Sequence, residues 1–535
     1  MGQLTFYIMI GVYAIIITFF GYLGYKHTKN SKDYLLAGGS VNPILVALSY
    51  GSAFISTSAI VGFGGAAGMY GMSLLWLTVC NIIFGVFVAF VFFGKRTKII
   101  GTNLGAETFP ELMSKRFDST FIQTYSAVLI TITMPLYAAA VMIGGARFLE
   151  QAININYAYA LIIFALLVGI YVFFGGLKGI IYTDAFQAVI MFIGMAILIF
   201  ATYKSLGGVS NAHESLGALT HLVPESFVAQ GHRGWTAMPA FGSEIWLYVI
   251  TTLVLGVGIG VLAQPHLVVR FMTLKGNMDI NRAVVAGGIF ILFMTGVAFV
   301  VGALSNAYFY DLYGKISLAM VTDPATGAAN IDKIIPLYIS KALPEWFAYL
   351  FMLCLLSAAM STLRGQLHVI GTSIRDVLQA KNKTGGKNTT IYARLGVLIG
   401  LAATLLLGFK LPGSIIAIAT AIFFGLCAAT FLPMYIAALY WPKATKTGVK
   451  AGMVSGSVIF AAMVLFVHQK EAVLFGLSDL IFGKPHLSGF PWNIIDPMVI
   501  SLPIGLIVMV LVSLVTKPFK KEHLERCFEG ISEHV

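Results

Sequence analysis

Three groups of polar residues lie inside long apolar runs, and these are the positions best suited to chemistry. Residues 49–58 contain several serines and a threonine. Residues 357–366 contain two serines, a threonine and Arg364, and Asp184 is the one acid clearly inside an apolar run. A charged side chain in such a place costs several kcal/mol when it is isolated. Asp184 and Arg364 must therefore each face protein or water, and each needs a partner.

Asp184 and Arg364 are predicted to pair with each other. Asp184 lies six residues beyond Lys178, and Arg364 lies eleven residues before Arg375, two basic residues that mark the inner edge of the membrane. At the rise of an α-helix, these separations place the two side chains roughly 9 Å and roughly 16 Å above that edge. The difference is about the length of one arginine side chain, so a salt bridge between them is feasible.

Small residues predict two helices that break in mid-membrane. The serines near position 55 precede a glycine-rich segment at 62–68, and a second break is expected after Gly256, Gly258 and Gly260, at Pro265. Broken helices free carbonyl and amide groups for binding, and a pair of them indicates a secondary transporter. Taken alone, small residues are also typical of close helix packing. Serine and threonine hydroxyls, likewise, commonly donate hydrogen bonds to backbone carbonyls of their own helix.

The elements that carry these residues are predicted to be transmembrane helices. Hydrophobic residues make up 58% of the 535-residue chain and charged residues 10%, against about 25% charged in a soluble domain. This composition excludes a soluble enzyme and a disordered scaffold, and four scattered cysteines exclude a disulfide framework. Runs of about 20 apolar residues span a bilayer. We predict thirteen spans, at 4–25, 43–68, 72–94, 122–149, 156–175, 180–203, 243–269, 283–308, 346–374, 391–409, 412–438, 449–467 and 496–516.

Lysine and arginine placement predicts the orientation of these spans. One set of loops holds 24 of these residues and the other set holds 8. Because basic residues accumulate on the cytoplasmic side, the N-terminus is expected outside and the tail at 517–535 inside the cell. The net charge of +12 therefore reports topology in the plasma membrane, and nucleic-acid binding is not needed to explain it.

The predicted fold is an all-α membrane protein built from two inverted five-helix repeats. The repeats cover residues 43–204 and 243–438, and each begins with one of the expected broken helices. The first repeat starts from the inside and the second from the outside, as inverted repeats require. One additional helix precedes them, and two follow.

Further motifs extend this pattern. They are residues 145–150 (GARFLE), residues 175–178 (GGLK) with Thr183, Asp184 and Gln187, and residues 264–270 (QPHLVVR). Together with the two polar segments, they resemble the sodium:solute symporter family, whose members share the leucine-transporter-type fold. The resemblance covers nearly the whole chain. It implies a sodium-coupled symporter that works by alternating access, and not an enzyme.

The resemblance also implies a sodium site between the first broken helix and the ninth span. Neutral oxygen ligands there suit a small, hard cation. The implied ligands are the carbonyl oxygens of Ser52, Ile55 and Ala358 and the hydroxyl oxygens of Ser361 and Thr362. Some family members hold a second sodium beside the acid that Asp184 matches. Here the hydroxyl positions of that second site fall on Arg364 and Gly365, so one sodium ion is expected.

The same resemblance places the solute beside the first helix break. The implied solute-binding residues are Phe54, Ser56, Ala59, Thr78, Asn81 and Tyr137. Few of them form hydrogen bonds, so a polyol would leave many hydroxyls unpaired. We therefore expect a small organic anion, with a short monocarboxylate as the first choice. Pantothenate, an amino acid or a sugar within the same family, and proton coupling through Asp184, remain alternatives.

Overall fold

The computed structural model describes residues 2–27, 42–273, 280–381 and 389–531. Its regular elements within these ranges are helices, as predicted. The α-helices α1 to α25 are, in order, Gly2–His27, Pro43–Phe54, Phe63–Tyr70, Leu75–Cys80, Lys95–Leu104, Phe109–Arg116, Thr120–Ile153, Tyr157–Ser205, Val209–Ala218, Glu225–Ala229, Glu244–Leu247, Val257–Gly260, Pro265–Met272, Ile280–Tyr313, Ser317–Met320, Ile334–Ala342, Glu345–Lys381, Thr389–Lys410, Ile416–Leu426, Leu432–Tyr440, Lys446–Phe466, Gln469–Phe475, Leu477–Phe482, Pro497–Val515 and Lys521–Phe528.

Shorter helical turns of other types join several of these helices. The π-helical segments are Ser58–Gly62, Asn81–Gly94, Tyr248–Gly256 and Cys427–Phe431. The 3₁₀ segments are Gly71–Leu74, Leu219–Leu222, Val261–Ala263 and Ile331–Lys333. Within the described ranges, ten helical stretches are long and apolar enough to cross a membrane, and three shorter apolar helices accompany them. The count of thirteen spans therefore stays a prediction.

The first predicted break lies between α2 and the π-helical turn that leads into α3. Helix α2 ends at Phe54, and Ile55 adopts an extended conformation with φ −85° and ψ 93°. The side chain of Ser56 then accepts a hydrogen bond from the backbone N–H of Ser58 at 3.1 Å, which starts the next helical segment. The glycines beyond the break serve packing, since a Cβ on Gly65 would lie 2.3 Å from the carbonyl oxygen of Ile331.

The second predicted break lies at Gln264. This residue is extended, with φ −70° and ψ 117°, and separates the 3₁₀ turn ending at Ala263 from α13, which begins at Pro265. Proline is favoured at the first position of a helix, because it has no backbone N–H group that would need a hydrogen-bond acceptor there. Gly260, just before the break, allows close contact, since a Cβ there would lie 2.2 Å from the carbonyl oxygen of Phe424.

Helix α8 covers two of the predicted spans. Its 49 residues are assigned as one helix, yet a straight helix of that length would measure roughly 70 Å, more than twice a bilayer. Tyr157 at its start donates to the carbonyl of Gly408 (2.9 Å), and Thr202 near its end accepts from Tyr338 (2.9 Å). Asp332, just before the helix of Tyr338, accepts hydrogen bonds from the backbone N–H groups of Ile415 and Ile416, just after the helix of Gly408. The two ends of α8 are therefore closer together than a straight helix of this length allows, so α8 must bend.

Candidate functional site

Helix α17 lies against the first helix break, and their oxygen atoms converge. The hydroxyl of Ser361 lies 2.8 Å from the carbonyl oxygen of Ser52 and 3.1 Å from that of Ala358. The hydroxyl of Thr362 lies 3.0 Å from the carbonyl oxygen of Ala53. These groups are fully buried. The structure thus brings together four of the five sequence-predicted sodium ligands: Ser52, Ala358, Ser361 and Thr362.

Ile55, the fifth predicted ligand, is also buried at the break. Its backbone N–H donates to the carbonyl of Gly51 at 2.8 Å, while the carbonyl that meets Thr362 belongs to Ala53, a residue the sequence did not single out. The donor set consists of neutral carbonyl and hydroxyl oxygens, which suits Na+. Because α2 ends here, its last backbone carbonyl groups have no N–H partner one helical turn further along the chain.

Asp184 forms two buried ion pairs. Its Oδ1 lies 2.8 Å from Nη2 of Arg364, which is the predicted pair, and its Oδ2 lies 3.1 Å from Nη2 of Arg270. The hydroxyl of Ser49, in the first broken helix, donates to the same Oδ2 at 2.8 Å. All three charged side chains are fully buried. The cluster therefore holds two positive charges and one negative charge.

The remaining donors of Arg364 reach three neighbouring groups. Its guanidinium donates to the side chains of Thr183 and Gln187, and its Nε donates to the carbonyl of Met360 at 2.9 Å. Gln187 in turn donates to the hydroxyl of Tyr13 at 2.8 Å. Helix α1 thus contributes Tyr13 to this network, whereas the sequence predicted α1 only as an additional span.

Arg270 requires a correction. It is one of the 24 basic residues counted above in the predicted inner loops, but its side chain is fully buried and pairs with Asp184. Its Nε donates to Ser49 at 3.2 Å, and its Nη1 donates to the carbonyl of His266, one helical turn earlier. The motif at 264–270 contained both residues, but spacing alone did not show which way Arg270 faces.

The predicted solute residues partly converge between the two breaks. Ser56 lies beside Tyr137, and both residues are buried. The Tyr137 ring lies 5.2 Å from that of Phe424 and 6.2 Å from that of His266, measured between ring centres. One side of this region is therefore aromatic.

The other predicted solute residues lie nearby on the first broken helix and on the third span. The Phe54 ring lies against the third span, since a Cβ on Gly85 of that span would lie 3.0 Å from the ring. Ala59 is half-buried in the turn after the break. Thr78 and Asn81, on the third span, are also buried.

Five buried residues near the breaks carry polar side-chain atoms with no hydrogen-bond partner among the described residues. The atoms are Oγ of Ser58, Oγ1 of Thr78, Oδ1 of Asn81, both amide atoms of Gln264 and both ring nitrogens of His266. An unpaired buried polar group costs about 1–3 kcal/mol, so such a group calls for an explanation such as a bound molecule. Thr78 and Asn81 were predicted as solute-binding residues. Gln264 and His266 were not, although they belong to a recognised motif.

Comparison with known proteins places this geometry in a family. The model described as the sodium:solute symporter family matches residues 34–456, most of the chain. The chain belongs to the sodium:solute symporter family. Among its relatives, sodium/proline symporter 2 of Staphylococcus saprophyticus is 28% identical over 490 residues, covering 89% of this chain and 90% of the relative. The sodium/proline symporter of Staphylococcus aureus is 27% identical over 499 residues, with the same coverage of both chains.

Solved structures confirm the predicted fold of this family member. A Na+-coupled sialic acid symporter in a substrate-bound outward-open state matches with a TM-score of 0.73, at 16% identity, over 96% of this chain and 98% of that one. Mhp1, a nucleobase-cation-symport-1 family transporter, matches with a TM-score of 0.52, at 13% identity, over 93% and 99%. The family and its relatives also confirm a multi-pass membrane transporter rather than an enzyme.

Proposed function

We propose that this sodium-coupled symporter moves a small organic anion, with a short monocarboxylate as the best candidate, together with one sodium ion. The observation that carries the proposal is the charge of the buried cluster. Among the described residues, Arg270 and Arg364 both pair with a single carboxylate, Asp184, so these three side chains together carry a net positive charge. A buried region of net positive charge attracts a bound anion.

The positively charged cluster lies close to the proposed solute site. A Cβ on Gly365 would lie 3.2 Å from Nη2 of Arg270 and 3.5 Å from Cδ2 of His266, so these two side chains approach each other beside α17. His266 in turn neighbours Tyr137. A carboxylate near His266 thus lies within the field of Arg270, and a solute of net negative charge gains more from this field than a zwitterionic amino acid or a sugar.

The shape and polarity of the site favour a short, partly apolar solute. Phe54, Tyr137 and Phe424 form apolar surfaces, while the polar groups are limited to a few hydroxyl, amide and imidazole groups. A sugar has more hydroxyls than these groups can satisfy. Pantothenate and proline are the alternatives to test first, since relatives of the chain are named sodium/proline symporters.

The Asp184 contacts favour one sodium ion over proton coupling. Arg364 takes the position where some family members have hydroxyl ligands for a second sodium, and its guanidinium already neutralises Asp184 at 2.8 Å. Asp184 also accepts hydrogen bonds from Arg270 and Ser49. Both carboxylate oxygens of Asp184 are thus occupied by donors from Arg364, Arg270 and Ser49, and a proton on either oxygen would have to displace one of them.

Ser361→Ala and Thr362→Ala are each expected to lower the apparent sodium affinity at least tenfold, about 1.4 kcal/mol. Each change removes one neutral ligand from an ion that has few ligands. Sodium activation of uptake in proteoliposomes measures the effect, with expression level recorded. Thr372→Ala is the matched control, because this buried hydroxyl on α17 donates only to the carbonyl of Val369, at 3.1 Å. Wild-type sodium dependence in both site variants would place the ion elsewhere.

His266→Phe is expected to raise the KM for the solute about tenfold, because it removes both unpaired ring nitrogens while keeping a planar ring. The maximal rate and the protein yield should change little. His213→Phe serves as the control, since His213 lies outside the breaks and meets Tyr203 at 3.1 Å. An unchanged KM in the His266 variant would remove this residue from the solute site.

Uptake into proteoliposomes tests the proposed function as a whole. Labelled acetate, propionate, lactate, pantothenate, proline and glucose are supplied with sodium, or with choline in its place at the same pH. Accumulation of a short monocarboxylate only with sodium supports the proposal. Sodium-dependent uptake restricted to proline or glucose would refute the anionic solute, and equal uptake in choline would refute sodium coupling.

A further inference from the structure

A cavity of about 550 Å³ lies on the side of the bundle predicted to face outward. Its walls come from the outer part of the first broken helix, with Ala66 and Tyr70, and from Tyr248 in the second broken helix. The segment at the start of α19, including Ile418, and helix α22, including Lys470, complete it. Ala66 lies ten residues beyond Ser56, so the cavity begins roughly 15 Å along the helix from the solute site.

Among the eighteen described residues that line this cavity, Lys470 is the only charged one. Its Nζ lies 3.2 Å from the centre of the Tyr248 ring, whose centre is 5.8 Å from that of the Tyr70 ring. Val473 and Leu474, from the same helix, add apolar surface. The cavity thus combines one cation with aromatic and aliphatic walls.

The acids around Lys470 have other contacts. Glu471 forms an ion-pair contact with His468, and Asp496 accepts a hydrogen bond from the backbone N–H of Met498 at 2.8 Å. Glu244 lines a smaller neighbouring cavity of about 180 Å³, which Lys470 also borders. No described carboxylate lies within salt-bridge distance of the Lys470 ammonium group. Burial lowers the pKa of Lys470 to about 7, and a carboxylate bound beside its Nζ in the cavity would favour the charged form.

We propose that this cavity is an outer binding site for the carboxylate of a short organic anion, with Lys470 as the group that binds it. The inference rests on the proposed function, because the ligand is the solute on its way to the site between the breaks. An ammonium group forms charge-assisted hydrogen bonds with a carboxylate, and a charged cleft with apolar walls raises the local concentration of the opposite charge. The tyrosine rings and Val473 contact the apolar end of the solute.

Lys470→Gln tests the proposal through uptake of labelled propionate or lactate by intact cells, whichever the wild-type protein carries. The KM is expected to rise about tenfold with the maximal rate within twofold of wild type, because the lost contact involves a charged group. Lys470→Arg should restore most of the affinity. Lys484→Gln, at another lysine on the same predicted side, is the matched control.

Ionic strength gives a second measurement that needs no variant. Raising choline chloride at constant sodium should increase the wild-type KM, since salt screens exposed charges, and should affect Lys470→Gln much less. An unchanged KM in Lys470→Gln, or a wild-type KM independent of salt, would overturn the outer site while leaving sodium-coupled anion uptake intact. Absence of any anion uptake by the wild type would instead refute both proposals.

Discussion

Asp184→Asn is expected to destabilise the protein by about 3–5 kcal/mol, because it removes the carboxylate that two buried guanidinium groups share. Arg364→Gln and Arg270→Gln should each cost less, since each leaves one neutral pair with Asp184 at 3.1 Å or 2.8 Å. The measurement is thermal unfolding of each purified variant in the same detergent. The surface pair of Asp118 and Lys446, which is 3.0 Å apart and exposed, supplies the control Asp118→Asn, which should change stability little.

The double variant Asp184→Asn with Arg364→Gln distinguishes the loss of a specific ion pair from a nonspecific loss of stability. It restores the single net positive charge of the wild-type cluster, so it should be more stable than Asp184→Asn alone. Residues in direct contact show such non-additive effects, whereas independent sites add. Losses that simply add would show that the buried salt bridge does not contribute to stability.

Uptake of a short monocarboxylate is expected to be indifferent to membrane potential and limited to about tenfold accumulation. One sodium ion and one monovalent anion carry no net charge, so only the sodium gradient drives transport. A tenfold gradient supplies about 1.4 kcal/mol. With a neutral solute, a potential of ~100 mV would add about 2.3 kcal/mol, and accumulation would reach roughly 500-fold.

Proteoliposomes with a potassium gradient and valinomycin provide the measurement of this electroneutrality. Uptake with and without the imposed inside-negative potential should agree, and the sodium dependence should have a Hill slope near 1. A slope near 2, or strong stimulation by the potential, would contradict either the single sodium or the anionic solute. The flux ratio of labelled sodium to labelled solute then identifies which of the two is wrong.

Several features of this protein follow from local sequence properties. Apolar length predicts the membrane helices, and small residues with Pro265 predict the two breaks that the structure confirms. The pair of Asp184 and Arg364 was also predictable, because a charge inside a membrane span must find a partner and the depth of each residue follows from its distance to a basic loop. The structure confirms this pair at 2.8 Å.

Other features depend on contacts between distant parts of the chain. Arg270 follows a broken helix and precedes a basic loop, so its sequence position is equally compatible with a boundary charge and with the buried partner of Asp184 found here. Likewise, the resemblance to a family implied the carbonyls of Ser52 and Ile55 as sodium ligands, and the fold adds the carbonyl of Ala53, which accepts a hydrogen bond from Thr362. Such choices depend on how α17 packs against α2, which hydropathy does not encode.

Polar groups whose role depends on their surroundings show most clearly what sequence alone cannot predict. His266 and Lys470 look like ordinary residues in the sequence, since a histidine or lysine near a span end is common. Their interest lies in what surrounds them: His266 is buried with neither ring nitrogen bonded to a described residue, and Lys470 borders a cavity lined by aromatic rings. Whether a polar group is satisfied depends on neighbours brought in from other helices, so it becomes visible only when the helices are packed together.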